Sequence, residues 1–255
     1  LNIIKFGGIF REKYMINVEE IYASALEQEQ VINRTKYKSH DGWFSASSAG
    51  SCFKKLMLRK EGKQEPKMDN RVMRLLRLGT VVHEDIQKAI LNSKEMASED
   101  LTIMMEKRIE IPELNVVGHL DIGILDKKTG NLKVMDIKTC ASYKWRMKFG
   151  RNPDKKGNPN YNMQLATYLK ALRNETSADG LASMSLLWYN KDTSALREEY
   201  VELPWIDKAT EYWEELNEYS DETTSDDMVV GSYGVPMENW ECRYCGFKDI
   251  YCKGV

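Results

Sequence analysis

The chain has 255 residues, of which 42% are hydrophobic and 30% charged, and its 37 Lys+Arg against 39 Asp+Glu leave a net charge of −2. This composition excludes disordered, collagen-like and disulfide-scaffold classes, and the length allows one elaborated domain or two small ones around a sizeable core. No apolar run approaches the ~20 residues of a membrane span, so no membrane partner is expected, and residues 1–14 are too polar and too interrupted by Gly7, Gly8 and Arg11 for a secretory signal.

Helical periodicity opens the chain. Val18, Ile21, Tyr22, Ala25, Leu26 and Ile32 form one stripe, with Asn17 and Glu20 as a capping-box-like start. A second helix is predicted over residues 47–60, stopped by Gly62, and a third over 70–93, with Leu75, Leu78, Val82, Ile86 and Ile90 as its apolar side. The period then changes to two. Ile103, Met105, Ile109 and Ile111 share a parity, so residues 101–111 read as a strand ended by Pro112. Residues 116–126 and 132–138 are two more strands, joined as a hairpin through Lys127, Lys128, Thr129, Gly130 and Asn131. A helix over 160–173, strands over 185–189 and 199–203, a helix over 206–219 and a short Cys-rich tail from Gly231 complete the chain. The order predicts one mixed α/β domain: a helical N-terminal part to about residue 95, a sheet-containing core to about 230, and the tail.

Charge is segregated. Residues 53–77 carry nine basic and three acidic side chains, residues 133–156 eight basic and two acidic, and residues 198–227 twelve acids against Lys208. The two basic runs suit a polyanion and equally suit solvated faces. Between residues 143 and 151 the basic Lys144, Arg146, Lys148 and Arg151 interleave with Tyr143, Trp145 and Phe149. Phosphate contacts plus base stacking fit that pattern, and so does an amphipathic segment with core aromatics.

The segment richest in chemistry is Gly118-His119-Leu120-Asp121, followed after the hairpin by Asp136-Ile137-Lys138. Residues two apart on a strand share a face, so Asp136 and Lys138 point one way with Val134, while Met135 and Ile137 point to the other side and can be core. Asp121, on the partner strand, can approach Asp136 across the ladder. Two converging carboxylates repel unless one is protonated or a cation lies between them, and hard oxygen ligands suit Mg²⁺ or Mn²⁺. A structural Asp–Lys pair in an ordinary hairpin is the plain alternative. His83, one turn after Gly79, is a further candidate ligand or a half-buried helix histidine; Gln164 and Tyr168, four apart, share a helical face.

Taken in order, Gly79 to His83, Gly118 to Asp121, Asp136 to Lys138 and Gln164 to Tyr168 resemble the PD-(D/E)XK nucleases, in their RecB-like branch. The resemblance covers about residues 44–252 and implies a restriction-endonuclease-like core, a mixed β-sheet flanked by helices. It implies His83, Asp121 and Asp136 as metal ligands, with the carbonyl of Ile137 as a further one, Lys138 as catalytic lysine, and Gln164 and Tyr168 as support for the site and the DNA. Leu120 stands where the superfamily name has Pro.

Five Cys, an odd number without disulfide-like spacing, favour a reducing, intracellular setting. Cys242, Cys245 and Cys252 lie within eleven positions and form a metal-ligand set short of a fourth member, for which Cys52 and Cys140 are candidates. One upstream Cys with three at the C-terminus resembles the iron–sulfur RecB-like nucleases: AddB, the CRISPR-associated Cas-four nucleases and the exonuclease-five group. On that resemblance Cys52, Cys242, Cys245 and Cys252 hold a 4Fe–4S cluster, with Zn²⁺ in the same thiolates as the rival.

The expected function is therefore a Mg²⁺- or Mn²⁺-dependent deoxyribonuclease, an exonuclease acting on single-stranded DNA or DNA ends drawn in by Lys144, Arg146, Lys148 and Arg151. A protein partner in recombination, repair or CRISPR adaptation is compatible with it. The alternatives are a DNA-end-binding adaptor with a vestigial site and an RNA-directed nuclease.

Overall fold

The structure, a computed structural model, describes residues 16–36, 42–153, 157–226 and 240–252. The N-terminal stretch read above, 1–14, and the first part of the tail, 231–239, lie outside these residues. Where the sequence reads as one domain, the backbone divides into two compact units, Leu1–Lys38 with Met68–Leu78, and Ser39–Lys67 with Gly79–Val255. Among the described residues no helix is long and apolar enough to cross a membrane.

The smaller unit holds helix α1 (Val18–Lys36). Asn17 caps it, its Oδ1 accepting from the backbone N–H groups of Glu19 and Glu20 at 3.1 and 3.3 Å. Leu26 of the predicted stripe is buried, whereas Val18, Ile21, Tyr22 and Ile32 are exposed.

In the larger unit, strand β1 is the two-residue Phe44–Ser45, and helix α2 is Phe53–Lys60. The predicted helix over 47–60 thus starts six residues late. Gly50 is the reason: its φ of +71° breaks the helical path, and Cys52 becomes the N-cap. Helix α3 (Asn70–Leu91) leaves the smaller unit after Leu78 and continues in the larger. Strands β2 (Leu101–Ile111), β3 (Val116–Asp126) and β4 (Leu132–Cys140) follow, then helices α4 (Ser142–Phe149) and α5 (Pro159–Thr176). Strands β5 (Ala182–Asn190) and β6 (Leu196–Val201), helix α6 (Trp205–Glu222) and two short helices, α7 (Trp240–Arg243) and α8 (Lys248–Tyr251), complete it.

The sheet is mixed and six-stranded, in the order β1-β3-β4-β5-β6, with β2 on the other edge of β3. β4 and β5 are parallel, which requires a crossover, here α4 and α5. On one face, Leu165, Leu169 and Leu172 of α5, Trp213 and Leu216 of α6 and Phe53 and Leu56 of α2 pack on Leu132, Val134 and Leu186. On the other, Ile86 and Ile90 of α3 pack on Ile122, Met135, Ile137 and Leu187. This is the α/β, helix-flanked mixed sheet expected of a restriction-endonuclease-like core.

One edge of β3 is shared in a way that creates a cleft. β1 pairs with Val116 and Val117, and β4 pairs from Ile122 to Leu125. Gly118, His119, Leu120 and Asp121 face neither strand, and β4 beyond Met135 pairs with β5 alone. Gly118 sits where the gap is filled by neighbours: an added Cβ would lie 2.7 Å from Cβ of Ala46 and 2.9 Å from Cε1 of Tyr168.

Gly118→Ala should therefore destabilise the protein by about 1–3 kcal/mol through overpacking. A urea midpoint equal to that of the wild type would show that Ala46 and Tyr168 do not close on this position.

Candidate active site

The cleft between β3 and β4 gathers the residues that the motifs single out. Asp136 is 2% exposed, on the face that α5 covers. Its Oδ2 lies 2.6 Å from Nζ of Lys138, two residues on, as strand alternation dictates. That ammonium lies against Oδ2, which is otherwise buried without a hydrogen-bond donor. Gln164 of α5 joins the pair: its Oε1 accepts from Lys138 Nζ at 2.9 Å, and its Nε2 donates to Asp136 Oδ1 at 3.2 Å and to the Tyr168 hydroxyl at 2.9 Å. Gln164 and Tyr168 are both buried, so they support the cluster from behind and offer no surface to a polyanion.

Asp121 does not meet Asp136 in the ladder. The β3–β4 register ends at Ile122 and Met135, one pair before the two acids. Asp121 Oδ2 accepts instead from the backbone N–H of Ile137 at 2.7 Å and lies 3.4 Å from Nδ1 of His83. His83 comes from α3, which covers the opposite face of the sheet. The site therefore draws one half from each face, with Asp121 in the gap between them.

Burial pushes Asp136 up to about 6, against the Lys138 ammonium and helped by the charge of Asp121. For His83, burial opposes the imidazolium but the hydrogen bond and charge of Asp121 outweigh it, so its pKa is raised. For Lys138, burial likewise opposes the charge, and Asp136 more than compensates, holding the ammonium protonated.

Tyr161 was not among the residues singled out. It stands one turn before Gln164, with Lys138 Nζ 4.5 Å and Lys144 Nζ 5.2 Å from its ring centroid. Its spacing to Gln164 and Tyr168, three and seven residues, is a helical stripe visible in the sequence, but a tyrosine in such a stripe reads as core.

The segment after β4 is helix α4, and it takes the amphipathic alternative of the sequence reading. Trp145 and Phe149 pack against the core, their rings 4.8 Å apart, so they are not free for base stacking. Lys148 pairs with Glu199 of β6 at 2.8 Å and is covered by the Trp188 ring, which removes it from any exposed cationic surface. Lys144, Arg146 and Arg151 are exposed.

Away from the cleft motifs, Cys52, Cys242, Cys245 and Cys252 line one cavity, walled also by Leu58 and Phe247 and by the charged Lys55, Glu241 and Lys248. All four are free thiols. Burial raises the pKa of Cys52, against the backbone N–H groups of Lys55 and Lys54, and burial also raises that of Cys252. Cys140 is buried in the core beyond Lys138 and is not part of this cavity. Among the described residues, no three His, Cys, Asp or Glu side chains are gathered closely enough to hold a metal ion as they stand. In the active-site cleft the cation beside the carboxylates is Lys138 itself.

The sequence profile of the PD-(D/E)XK nuclease superfamily matches residues 45–253. The chain belongs to that superfamily. Its matched region holds every member of the cleft and all four cavity cysteines. Among solved structures it is similar to SSO0001, with 18% identity, a TM-score of 0.51 and coverage of 90% of this chain and 95% of that one, which shows a shared fold. It is more distantly similar to an alkaline exonuclease from Laribacter hongkongensis, with 14% identity, a TM-score of 0.45 and coverage of 76% and 93%. No curated protein matches the chain.

Proposed function

We propose that this superfamily member is a divalent-metal-dependent deoxyribonuclease that hydrolyses phosphodiester bonds as an exonuclease on single-stranded DNA or DNA ends. The observation that carries this reading is the buried Asp136–Lys138–Gln164 network facing the Asp121–His83 pair across a cleft between two strands. The donor set fits a hard divalent cation. It offers two carboxylates, an imidazole nitrogen and the Ile137 carbonyl, and one carboxylate oxygen, Asp136 Oδ2, is buried with no donor beyond the Lys138 ammonium.

His83, Asp121, Asp136 and Ile137 would hold Mg²⁺ or Mn²⁺. When bound, such an ion supplies Lewis acidity at a phosphoryl oxygen and a more acidic water. Lys138, kept charged by Asp136, stabilises negative charge that develops on the attacked phosphate. Gln164 holds Lys138 and Asp136 in fixed orientation, Tyr168 holds Gln164, and Tyr161 lies under the ammonium. Lys144, Arg146 and Arg151 line the approach and contact the phosphate backbone.

The cysteine cavity is read as a 4Fe–4S site. Four thiols around one cavity are the donors such a cluster uses, and the α2 N–H groups facing Cys52 offset part of the burial that disfavours its thiolate. The cluster would tie α2 to the tail across ~190 residues of chain, a closure that constrains the unfolded ensemble.

Mg²⁺ or Mn²⁺ at ~100 times its dissociation constant should stabilise the protein by about 2.7 kcal/mol. Asp136→Asn should lose both that increment and cleavage, and Lys138→Ala should lose cleavage while keeping most of the increment. Cleavage by Asp136→Asn at the wild-type rate under Mn²⁺ would refute the site assignment.

For DNA binding, Lys144→Glu combined with Arg146→Glu should lower the slope of log affinity against log salt by ~1.4, two contacts' worth on a single strand. Lys148→Glu should instead lower the melting temperature, since it sets a carboxylate against Glu199. An unchanged salt slope in the double variant would remove α4 from the binding surface.

Anaerobically purified protein should be brown. Cys52→Ala and Cys242→Ala should each bleach it, and Cys140→Ala should not. Colourless protein with stoichiometric zinc would overturn the iron–sulfur assignment and leave the nuclease site standing.

A further inference from the structure

Gln87 is a buried amide outside all four motifs. It lies one turn after His83 on α3 and is 7% exposed. Its Nε2 donates to Oε1 of Glu106 on β2 at 2.7 Å and to the backbone carbonyl of Asp121 on β3 at 3.0 Å. The amide thereby spends both of its protons on two strands at once.

Those two acceptors mark a break in the sheet. The β2–β3 register passes from Met105 opposite Ile122 to Lys107 opposite Leu120, and Glu106 and Asp121 drop out between them. Glu106 has φ +47°, a conformation that costs a non-glycine residue free energy and persists only when its surroundings hold it. The strand faces switch there. Ile109 and Ile111 pack on the α5 face, as does Leu120, whereas Met105 and Ile122 pack on the α3 face. The switch is what turns Asp121 into the gap between β3 and β4.

We propose that Gln87 is a positioning residue for the cleavage site: it locks α3 onto the sheet break at Asp121, so that His83 and the Asp121 carboxylate are presented to a divalent ion as one preformed half-site. This rests on the metal-holding roles proposed above. The apolar contacts of Ile86 and Ile90 hold the helix to the sheet but leave it free to slide, because dispersion and burial are not directional. A two-donor amide fixes the register. Asp121 is then held at both ends, its carbonyl by Gln87 and its carboxylate by the N–H of Ile137. His83 and Gln87, four apart, project from the same helical face, so fixing one orients the other.

The test is Mn²⁺ titration of the full chain, read by electron paramagnetic resonance of free Mn²⁺, with cleavage kinetics beside it. Gln87→Met keeps length and volume but donates nothing. It should raise the Mn²⁺ dissociation constant about tenfold, as loss of an outer-shell partner does. Its kcat should fall at low Mn²⁺ and recover at high Mn²⁺, with KM for DNA within about twofold of the wild type. Glu106→Ala, at an exposed position, should weaken Mn²⁺ binding by about threefold, and Glu106→Gln, which keeps an acceptor oxygen, should restore it. A purely structural role would lower the melting temperature in chelator and leave Mn²⁺ affinity untouched. Wild-type Mn²⁺ affinity in Gln87→Met overturns the proposal. If that variant does not fold, equal affinities in Glu106→Ala and Glu106→Gln overturn it instead. Asp136→Asn separates the two levels. If it loses Mn²⁺ binding while Gln87→Met keeps it, only the positioning role falls; if it retains Mn²⁺ binding, the site reading itself falls.

Discussion

Burying a charged carboxylate is costly unless it is paired, and the arrangement around the cleft follows from pairing Asp136. Its nearest cation is Lys138 on the same strand face, which alternation alone delivers. Two ions so close together still need their remaining lone pairs and protons answered. Gln164 answers both, and only one amide orientation can: carbonyl toward the ammonium, NH₂ toward the carboxylate. Gln164 in turn fixes the height of α5 above β4. One turn further on, Tyr168 falls against Gly118, and Ala46 closes from the other side. The absence of a side chain at Gly118 is thus the far end of a chain of constraints that begins at Asp136.

The cleft exists because the sheet comes apart on one side only. β4 leaves β3 after Met135 but continues pairing with β5 through Cys140, so Asp136 and Lys138 are held on a rigid strand even where their other edge is open. A site on a paired strand is better fixed than one on a loop. The opening also admits groups from both faces. α5 brings Gln164 and Tyr161 from one, α3 brings His83 from the other, and Asp121 lies between, its carboxylate capping the Ile137 N–H that a ladder partner would otherwise have taken.

Much of this was legible in the chain. Residues 101–111 and 116–126 were bounded correctly because alternation, Pro112 and the Lys127-to-Asn131 turn are local signals. That the motif residues meet in one cleft was legible for a similar reason, since it depends on residue type and spacing. What failed depends on contacts far apart in sequence. Ile103, Met105, Ile109 and Ile111 share a parity, yet Met105 and Ile109 serve opposite faces, because the left-handed backbone at Glu106 intervenes. Nothing in a glutamate announces that conformation; its acceptor role toward Gln87 is set by a helix nineteen residues away. β1 is too short to show a period. α4 did carry a signal, the four-residue spacing of Trp145 and Phe149, which fits the amphipathic alternative, but the interleaved basic residues fit phosphate contacts equally well.

Charge shows the same limit most clearly. Counted along the chain, the run at residues 133–156 is strongly basic and the run at 198–227 strongly acidic, which suggests one surface for a polyanion and one for water. The sheet brings the two runs together. Lys133 pairs with Glu198 at 2.6 Å and Lys148 with Glu199 at 2.8 Å, where Glu199 also accepts from the Trp188 indole. These lysines are counter-charges for the β6 acids, in pairs that are partly exposed. Lys144, one turn before Lys148, also reaches over the Trp188 ring, at 5.9 Å, yet it stays exposed, as does Arg146 on the same short helix. Which basic residues stay exposed is therefore decided in part by the strand order, because β6 carries Glu199 to Lys148 and leaves Lys144 and Arg146 exposed.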